Sequence, residues 1–294
     1  MYTMSTTEMA IAFQKDRKRK ISVKRKMLYI FVLLMIILFF IPIFWLILSS
    51  LKTQAEMVTF PPKFLPQKPQ FHNYYLSLTK IDYFRYLMNT IVLSMVYTLP
   101  GVFTAAMFGY AFARFSAPGK NFFFNIVIVL IMIPPVSVMI PEYAFYAKLG
   151  IINTYYIWLL WGIGANPLYI YLFKQFFSFF PRDLEEAALI DGCSRLGILL
   201  RIYMPLSKPI LVTVFLLSFL FVYGDFMGPV IFLSGENTTL SVAMASGYVM
   251  RNGILLVSVL LAGIVIYLVP IILIFAIGQK YYVQGLLSSS GIKG

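Results

Sequence analysis

Long uncharged apolar runs constrain this chain more than any other feature. Residues 27–48 are 22 consecutive positions without a charged side chain. A helix needs about 20 mainly apolar residues to cross the hydrocarbon core of a bilayer. Six stretches meet that requirement: Met27–Leu48, Tyr86–Phe112, Phe122–Pro141, Tyr155–Phe177, Lys208–Leu233 and Ile254–Gly278. Such runs differ from the short alternating segments of a membrane β-barrel. We therefore predict an all-α, polytopic membrane protein with six transmembrane helices.

Composition supports a membrane protein and excludes several other classes. Hydrophobic residues make up 60% of the 294 residues and charged residues only 12%, with a mean hydropathy of +0.84. Soluble domains carry about 25% charged residues, so this chain has too little polar surface for a soluble globule of its size. A single cysteine, Cys193, and a single histidine, His72, leave no disulfide framework, common metal cluster or histidine-based triad. We accordingly assign no catalytic residue and no metal ligand.

The basic residues predict the orientation in the membrane. The formal net charge is +13, from 24 Lys and Arg against 11 Asp and Glu. With the N-terminus in the cytoplasm, 17 of the 24 basic residues fall in cytoplasmic segments, in keeping with the positive-inside rule. We expect a basic cytoplasmic segment at 1–26, a transmembrane domain at 27–278 and a cytoplasmic tail at 279–294. The basic segment is interpreted as an anchor on anionic lipid, and no nucleic-acid partner is expected because no folded recognition element accompanies it.

The segment between the fourth and fifth predicted spans, 178–207, is predicted to form a helix–turn–helix. Acidic residues open it, where the helix dipole favours negative charge. Asp191-Gly192 is a turn signal, Ser194 can cap a second helix, and Pro205 ends or kinks that helix. An apolar stripe is expected along the second helix at Leu196, Leu199, Leu200 and Tyr203. From the residues alone, an interfacial amphipathic hairpin and a docking element for a partner protein are equally good interpretations.

The same segment carries a family motif. Glu186-Ala187-Ala188, Gly192 and Ile202-Tyr203-Met204-Pro205, separated by three and then nine residues, resemble the EAA loop of inner-membrane subunits of bacterial ABC importers. Met204 stands where that family usually has Leu, which is a volume-conserving exchange. Four further segments resemble the carbohydrate-type permeases of the family, similar to the second permease of maltose importers: 50–64, 109–120, 147–154 and 284–294.

The resemblance implies a fold and a set of partners. Such a permease has a type I ABC importer transmembrane domain in the bacterial inner membrane, and it pairs with a second permease subunit as a heterodimer. Two ATPase subunits bind ATP and Mg²⁺, so the chain itself needs no cofactor, and an extracytoplasmic sugar-binding protein delivers a sugar or oligosaccharide. The resemblance assigns ATPase coupling to Glu185, Glu186, Ala187, Ala188, Asp191, Gly192, Ile202 and Pro205. Glu186 is expected to pair with an arginine of the ATPase.

Polar residues within the predicted spans are candidates for the translocation path. Asp225 is the one acid well within a span, and a charge there usually faces the bundle interior or a watery cavity. We favour the interpretation that Asp225 caps a helix broken near Gly224 and Pro229. The other path candidates are Tyr223, Tyr97, Asn89 and Asn166.

Other functions fit the sequence less well. A permease of another ABC importer class, for peptides or amino acids, would share the EAA loop but not the four carbohydrate-type segments. A secondary transporter usually carries several intramembrane ionisable groups and paired repeats. The chain has no G-x-x-x-x-G-K-[ST] motif, so we do not expect it to be the ATP-hydrolysing subunit itself.

Overall fold

The computed structural model describes residues 6–250 and 253–289. Within these residues the regular structure is helical, apart from one antiparallel bridge between Val249 and Leu255, and the predicted all-α class is confirmed. The helices are α1 (Thr6–Ser50), α2 (Gln54–Val58), α3 (His72–Thr79), α4 (Tyr83–Arg114), α5 (Lys120–Ile131), α6 (Pro135–Lys148), α7 (Tyr156–Ile163), α8 (Pro167–Phe177), α9 (Asp183–Ile190), α10 (Arg195–Ile198), α11 (Met204–Leu206), α12 (Lys208–Tyr223), α13 (Met227–Phe232), α14 (Leu240–Gly247) and α15 (Val257–Ser289). A π-helical turn, Leu199–Tyr203, joins α10 to α11, and a 3₁₀ turn covers Gly235–Asn237. Residues 290–294 of the predicted tail lie outside the described residues.

The described chain contains enough long apolar helices for a polytopic membrane protein. Four continuous stretches are long and apolar enough to cross a bilayer: Arg25–Ser50, Tyr83–Arg114, Tyr156–Phe177 and Val257–Tyr281. Two bent pairs of helices meet the same requirement when each pair is taken as one span, which gives up to six. The apolar part of α1 is almost entirely exposed in the isolated chain, as expected of a surface that faces lipid or another membrane subunit.

The third predicted span, Phe122–Pro141, is not one continuous helix but falls within the bent pair of α5 and α6. α5 and α6 are bent by 99°. Pro134 has an extended backbone, with φ −65° and ψ 127°, because a residue before proline is pushed out of the helical region. Pro135 also lacks the N–H needed to continue the helical ladder. At about 1.5 Å per residue, the 12 residues of α5 are too short to cross a bilayer alone.

The fifth predicted span, Lys208–Leu233, is interrupted as well. α12 ends at Tyr223 and α13 begins at Met227, so the break lies at 224–226, near the position that the sequence indicates. On its other side, α12 meets the α10–α11 arm at an angle of 86°. The bend lies between Pro205 and Pro209, which stand in the first turns of α11 and α12. Proline is tolerated at these positions because the first N–H groups of a helix have no intrahelical partner.

α4 is the central helix of the bundle. It packs against α7 and α8 on one side and against α12 on another. Small residues permit the closest contacts: a Cβ added at Gly162 would lie 2.5 Å from Tyr97 O, and one added at Gly109 would lie 2.9 Å from Lys174 N. Membrane helices gain packing contact where small residues let their backbones approach. Fully buried aromatic side chains, among them Trp158 and Phe173, fill the space around these contacts.

The connecting segments gather at two ends of α4. At one end, which we call the hairpin end, Arg114 meets Glu185 of the 178–207 hairpin. At the opposite end, segments distant in sequence are joined by hydrogen bonds. Gln54 Nε2 donates to Leu255 O at 2.8 Å, and Tyr248 OH donates to Ser77 O at 2.6 Å. At each end of α4, side chains therefore join connecting segments that are far apart in the sequence.

Candidate functional site

The first arm of the hairpin is α9, and it forms for the reasons expected from the sequence. Its first turn contains Asp183, Glu185 and Glu186, where the helix dipole stabilises negative charge. The arm ends at the predicted turn. Gly192 has φ +79°, and Cys193 N donates to Ala188 O at 2.9 Å. Glycine takes this left-handed conformation without the steric cost that a Cβ brings.

The second arm begins as predicted but differs from the predicted pattern further along. Ser194 Oγ accepts a hydrogen bond from Gly197 N at 3.1 Å and so caps α10. The π-helical turn that follows has i to i+5 hydrogen bonds, which displaces side chains from α-helical spacing. The predicted apolar stripe is divided between two faces: Leu199 and Tyr203 are buried, whereas Leu196 and Leu200 are exposed.

Glu185 lies at the centre of a buried polar cluster between the hairpin and α4. Arg114 Nε and Arg195 Nη1 each lie 3.1 Å from a Glu185 carboxylate oxygen, and Tyr110 OH donates to the same carboxylate at 3.2 Å. Glu185 is only 8% exposed. A buried charge is tolerated when it is paired and hydrogen-bonded, and this carboxylate accepts three such bonds. The structure thus places Glu185 against the rest of its own chain.

The other predicted coupling residues divide by face. Ala188 is buried beside Glu185, at the i+3 position of the same helix face. Glu186, Ala187 and Asp191 are exposed, together with the apolar Ile190, which is 86% exposed. The remaining predicted coupling positions are the exposed Gly192 and Pro205 and the half-buried Ile202. The i, i+3 spacing of Glu185 and Ala188 indicates that they share one face of α9. The sequence did not identify Arg114 and Arg195 as the partners of Glu185.

Three of the path candidates hold the backbone in place. Asp225 Oδ1 accepts a hydrogen bond from Gly228 N at 3.2 Å, which is the contact expected of a residue that caps the helix beyond the break. Tyr223 is fully buried, and its hydroxyl donates to Tyr267 O at 2.9 Å. Asn89 Nδ2 donates to the carbonyl oxygens of two residues at the opposite end, Glu236 at 2.8 Å and Thr238 at 2.9 Å.

The structure brings the other two path candidates together. Asn166 caps α8 by accepting a hydrogen bond from Leu168 N at 3.0 Å, and its side chain also interacts with that of Tyr97. Tyr97 is buried, and its ring lies 6.1 Å from that of Phe221. Near this pair, Ala165 has φ +55°, so the helix from Tyr156 to Phe177 is interrupted where polar groups meet.

The described residues contain no group of three or more His, Cys, Asp or Glu side chains that could hold a metal ion. The candidate functional site consists of an exposed face of α9 that carries acidic and apolar side chains, together with a buried cluster that joins α9 to α4.

Comparison with known proteins identifies the family. Residues 101–287 match the family described as binding-protein-dependent transport system inner membrane component. The chain belongs to this family: it is a permease component of a binding-protein-dependent ABC transport system and a membrane protein by its apolar helices.

Relatives along almost the whole chain agree with this membership. The chain is 32% identical over 277 residues to the arabinooligosaccharides transport system permease protein AraQ of Bacillus subtilis (strain 168), covering 93% of this chain and 97% of AraQ. It is 31% identical over 278 residues to the trehalose/maltose transport system permease protein MalG of Thermococcus litoralis, covering 92% and 98%. The resemblance to carbohydrate-type permeases is thereby confirmed.

A solved structure shares the fold. The chain matches a bacterial ABC transporter involved in the import of the acidic polysaccharide alginate with a TM-score of 0.70, covering 96% of this chain and 100% of that one. The sequence identity is 24%, so this likeness concerns the fold alone. It confirms the predicted architecture of an ABC importer transmembrane domain.

Proposed function

We propose that this permease imports a sugar or oligosaccharide and is driven by ATPase subunits that dock on the 178–207 hairpin. The observation that carries the proposal is the exposed face of α9. Ile190 is 86% exposed at the end of that helix, next to the exposed Asp191, and Glu186 and Ala187 are exposed in the preceding turn. A large apolar side chain beside small and acidic ones suits docking into a protein cleft rather than contact with water.

The rigidity of the hairpin supports the same role. A docked element transmits movement only if it moves as a body with the helices it drives. The left-handed Gly192, the Ser194 cap and the buried carboxylate of Glu185 each hold the hairpin in one conformation. Ala187 offers little side chain, which allows a partner to approach closely. Glu186 is assigned the ion pair with an arginine of the ATPase, and ATP and Mg²⁺ belong to that partner.

The orientation and the other partners follow from the charges and the family. By the predicted topology, 17 of the 24 basic residues lie on the side of the hairpin, and from the positive-inside rule we assign that side and both termini to the cytoplasm. The opposite end then receives an extracytoplasmic sugar-binding protein, and a second permease subunit completes the path. We propose the same three segments as the sequence predicts: a basic cytoplasmic segment at 1–26, a transmembrane domain at 27–278 and a cytoplasmic tail at 279–294. Tyr97 and Asn166 are the path candidates that interact with each other.

Charge reversal at Glu186 tests the docking role. In the complete importer, E186R is expected to lose co-purification of the ATPase subunits and sugar uptake, because it places a cation against the proposed arginine. Sugar binding by the binding protein is expected to be unchanged. E186Q, which removes the charge and keeps the shape, is expected to weaken the association less.

The matched control is D82R, because Asp82 is an exposed acid at the opposite end of α4. D82R should keep the ATPase subunits bound. Full ATPase association and uptake with E186R would contradict the docking role. Uptake of labelled peptides instead of labelled oligosaccharides would contradict the sugar assignment and would favour the alternative importer class.

A further inference from the structure

The contacts of Arg114 suggest how the hairpin is joined to the membrane helices. Arg114 is the last residue of α4, and its side chain is 5% exposed. Its Nε donates to Glu185 Oε2 at 3.1 Å, its Nη2 donates to Pro181 O at 3.0 Å, and its guanidinium lies 5.4 Å from the centre of the Tyr203 ring. All three contacts are with the hairpin. A single side chain of α4 thus reaches both arms and the segment before them.

Tyr110, also on α4, supports the same connection: its hydroxyl donates to the Glu185 carboxylate at 3.2 Å, and its ring lies 4.9 Å from the Tyr203 ring. α9 packs against α10, but no extended packing contact joins α9 to α4. Arg195 also pairs with Glu185, but it belongs to the hairpin itself and its side chain is 54% exposed. Solvent screening weakens an exposed pair more than a buried one. Of the two arginines that pair with Glu185, Arg114 is therefore the one that solvent screens less, and it is the one that belongs to α4.

The other end of α4 is bonded to a different loop. Asn89 donates to the carbonyl oxygens of Glu236 and Thr238, and Leu240 N donates to Thr90 Oγ1 at 2.9 Å. Arg85 forms an ion pair with Glu236 at the same place. Arg114 and Asn89 are 25 positions apart on α4, so at about 1.5 Å per residue the two connections lie about 38 Å apart along the helix.

We propose that Glu185 and Arg114 form the joint through which movement of α9 reaches α4 and, along α4, the 234–240 segment at the opposite end. Glu185 is thus a positioning residue rather than a contact for the ATPase. The inference rests on the proposed docking function. ATP-driven displacement of α9 pulls on a buried, directional ion pair. α4 responds as a rigid element, and the loop bonded to its far end moves with it.

The test uses the complete importer in liposomes with E185Q, R114Q and the double variant. We expect ATPase subunits to stay bound, while most of the sugar moved per ATP hydrolysed is lost, because movement of α9 no longer reaches α4. The double variant should fall no further than either single one, because both remove the same joint. Hydrogen exchange of residues 234–240 should respond to ATP in the wild-type protein and should lose that response in the variants.

The control is D183N, because Asp183 lies exposed in the same turn and takes part in none of the ion pairs of the described chain. It should keep the ratio of sugar to ATP and the exchange response. If E185Q does not assemble, R114K gives the same readouts, since it retains the charge but not the branched donor geometry. An unchanged ratio or an unchanged ATP response of 234–240 in a variant that assembles would overturn the joint.

This outcome is separable from failure of the docking role. If E186R releases the ATPase and E185Q keeps full coupling, the docking role stands and the joint is wrong. If E186R keeps the ATPase bound and active in uptake, the docking role itself is wrong, whatever E185Q does.

Discussion

Replacing Gly109 with alanine tests the close approach of α4 and α8 beneath the hairpin. Gly109 is buried, and an added methyl would overlap Phe173 Cβ and lie 2.9 Å from Lys174 N and 3.1 Å from Phe173 C. Favourable carbon contacts lie at about 3.5–4.0 Å. The obstructing atoms are backbone atoms and a Cβ, which cannot move without the helix. The two helices would therefore have to separate by about 1 Å.

The expected cost follows from two opposing effects. Alanine stabilises a helix interior by about 0.5–1 kcal/mol relative to glycine. Overpacking a well-packed contact costs about 1–3 kcal/mol, and the immobile neighbours of Gly109 place this site at the upper end. The net loss is about 2 kcal/mol, which at about 2.1 cal/mol/K of unfolding entropy per residue lowers the Tm of a 294-residue chain by about 3 °C.

Thermal unfolding of the purified importer measures this effect. The matched control is G164A, because Gly164 ends α7 with φ −62° and a methyl there would meet its nearest atom, Leu160 O, at 3.4 Å. G164A should leave the Tm close to the wild-type value. If G109A melts at the wild-type temperature or together with G164A, the two helices do not approach as closely as argued.

Two further predictions concern the opposite end. Hydrogen bonds from Thr53 N and Gln67 N lower the pKa of the Glu56 carboxyl below its ordinary value of 4.5. Because the pKa is lower in the folded loop than in the unfolded chain, the stabilisation is complete above the ordinary value and is lost as pH falls through the folded pKa. The hydrogen-exchange rate of residues 53–67, corrected for intrinsic rates, should therefore rise on acidification. An equal rise in E56Q would refute the role of the Glu56 carboxylate in stabilising this loop. N89A removes both hydrogen bonds to the 236–238 segment, at about 1–3 kcal/mol of local stability, and should speed proteolytic cleavage there; an unchanged cleavage rate would refute it.

Some features of the hairpin depend on residues close in the sequence, and others depend on distant contacts. Its two arms, the turn at Gly192 and the cap at Ser194 depend on neighbours within a few residues, so the sequence was sufficient to predict them. The division of the apolar stripe is not local: Tyr203 is buried because its ring packs on Tyr110 and Phe177, which lie outside the hairpin's second arm. In the third span, Pro134-Pro135 is a local signal for the break in the helix, but the 99° angle between α5 and α6 is known only from the structure.

The candidate site shows the difference more sharply. Glu185 and Glu186 are adjacent acids in one helical turn, and the sequence assigned both to ATPase coupling. A helix turns about 100° between successive residues, so neighbours face different surroundings, and only the packed structure shows which face meets Arg114. Asn89 is similar: it is polar and lies within a predicted span, but its partners at Glu236 and Thr238 follow it by about 150 residues.

The sequence by itself determined the class of protein, the number of apolar segments and the position of the hairpin. These depend on hydrophobicity and on short-range turn chemistry, which each segment carries within itself. The tertiary structure alone decided that one glutamate of the hairpin is held by two arginines and the next is exposed. It also decided that α4 connects the hairpin end to the 234–240 segment. Such contacts join residues far apart in the chain, and they exist only once the helices have packed and fixed which side chains face each other.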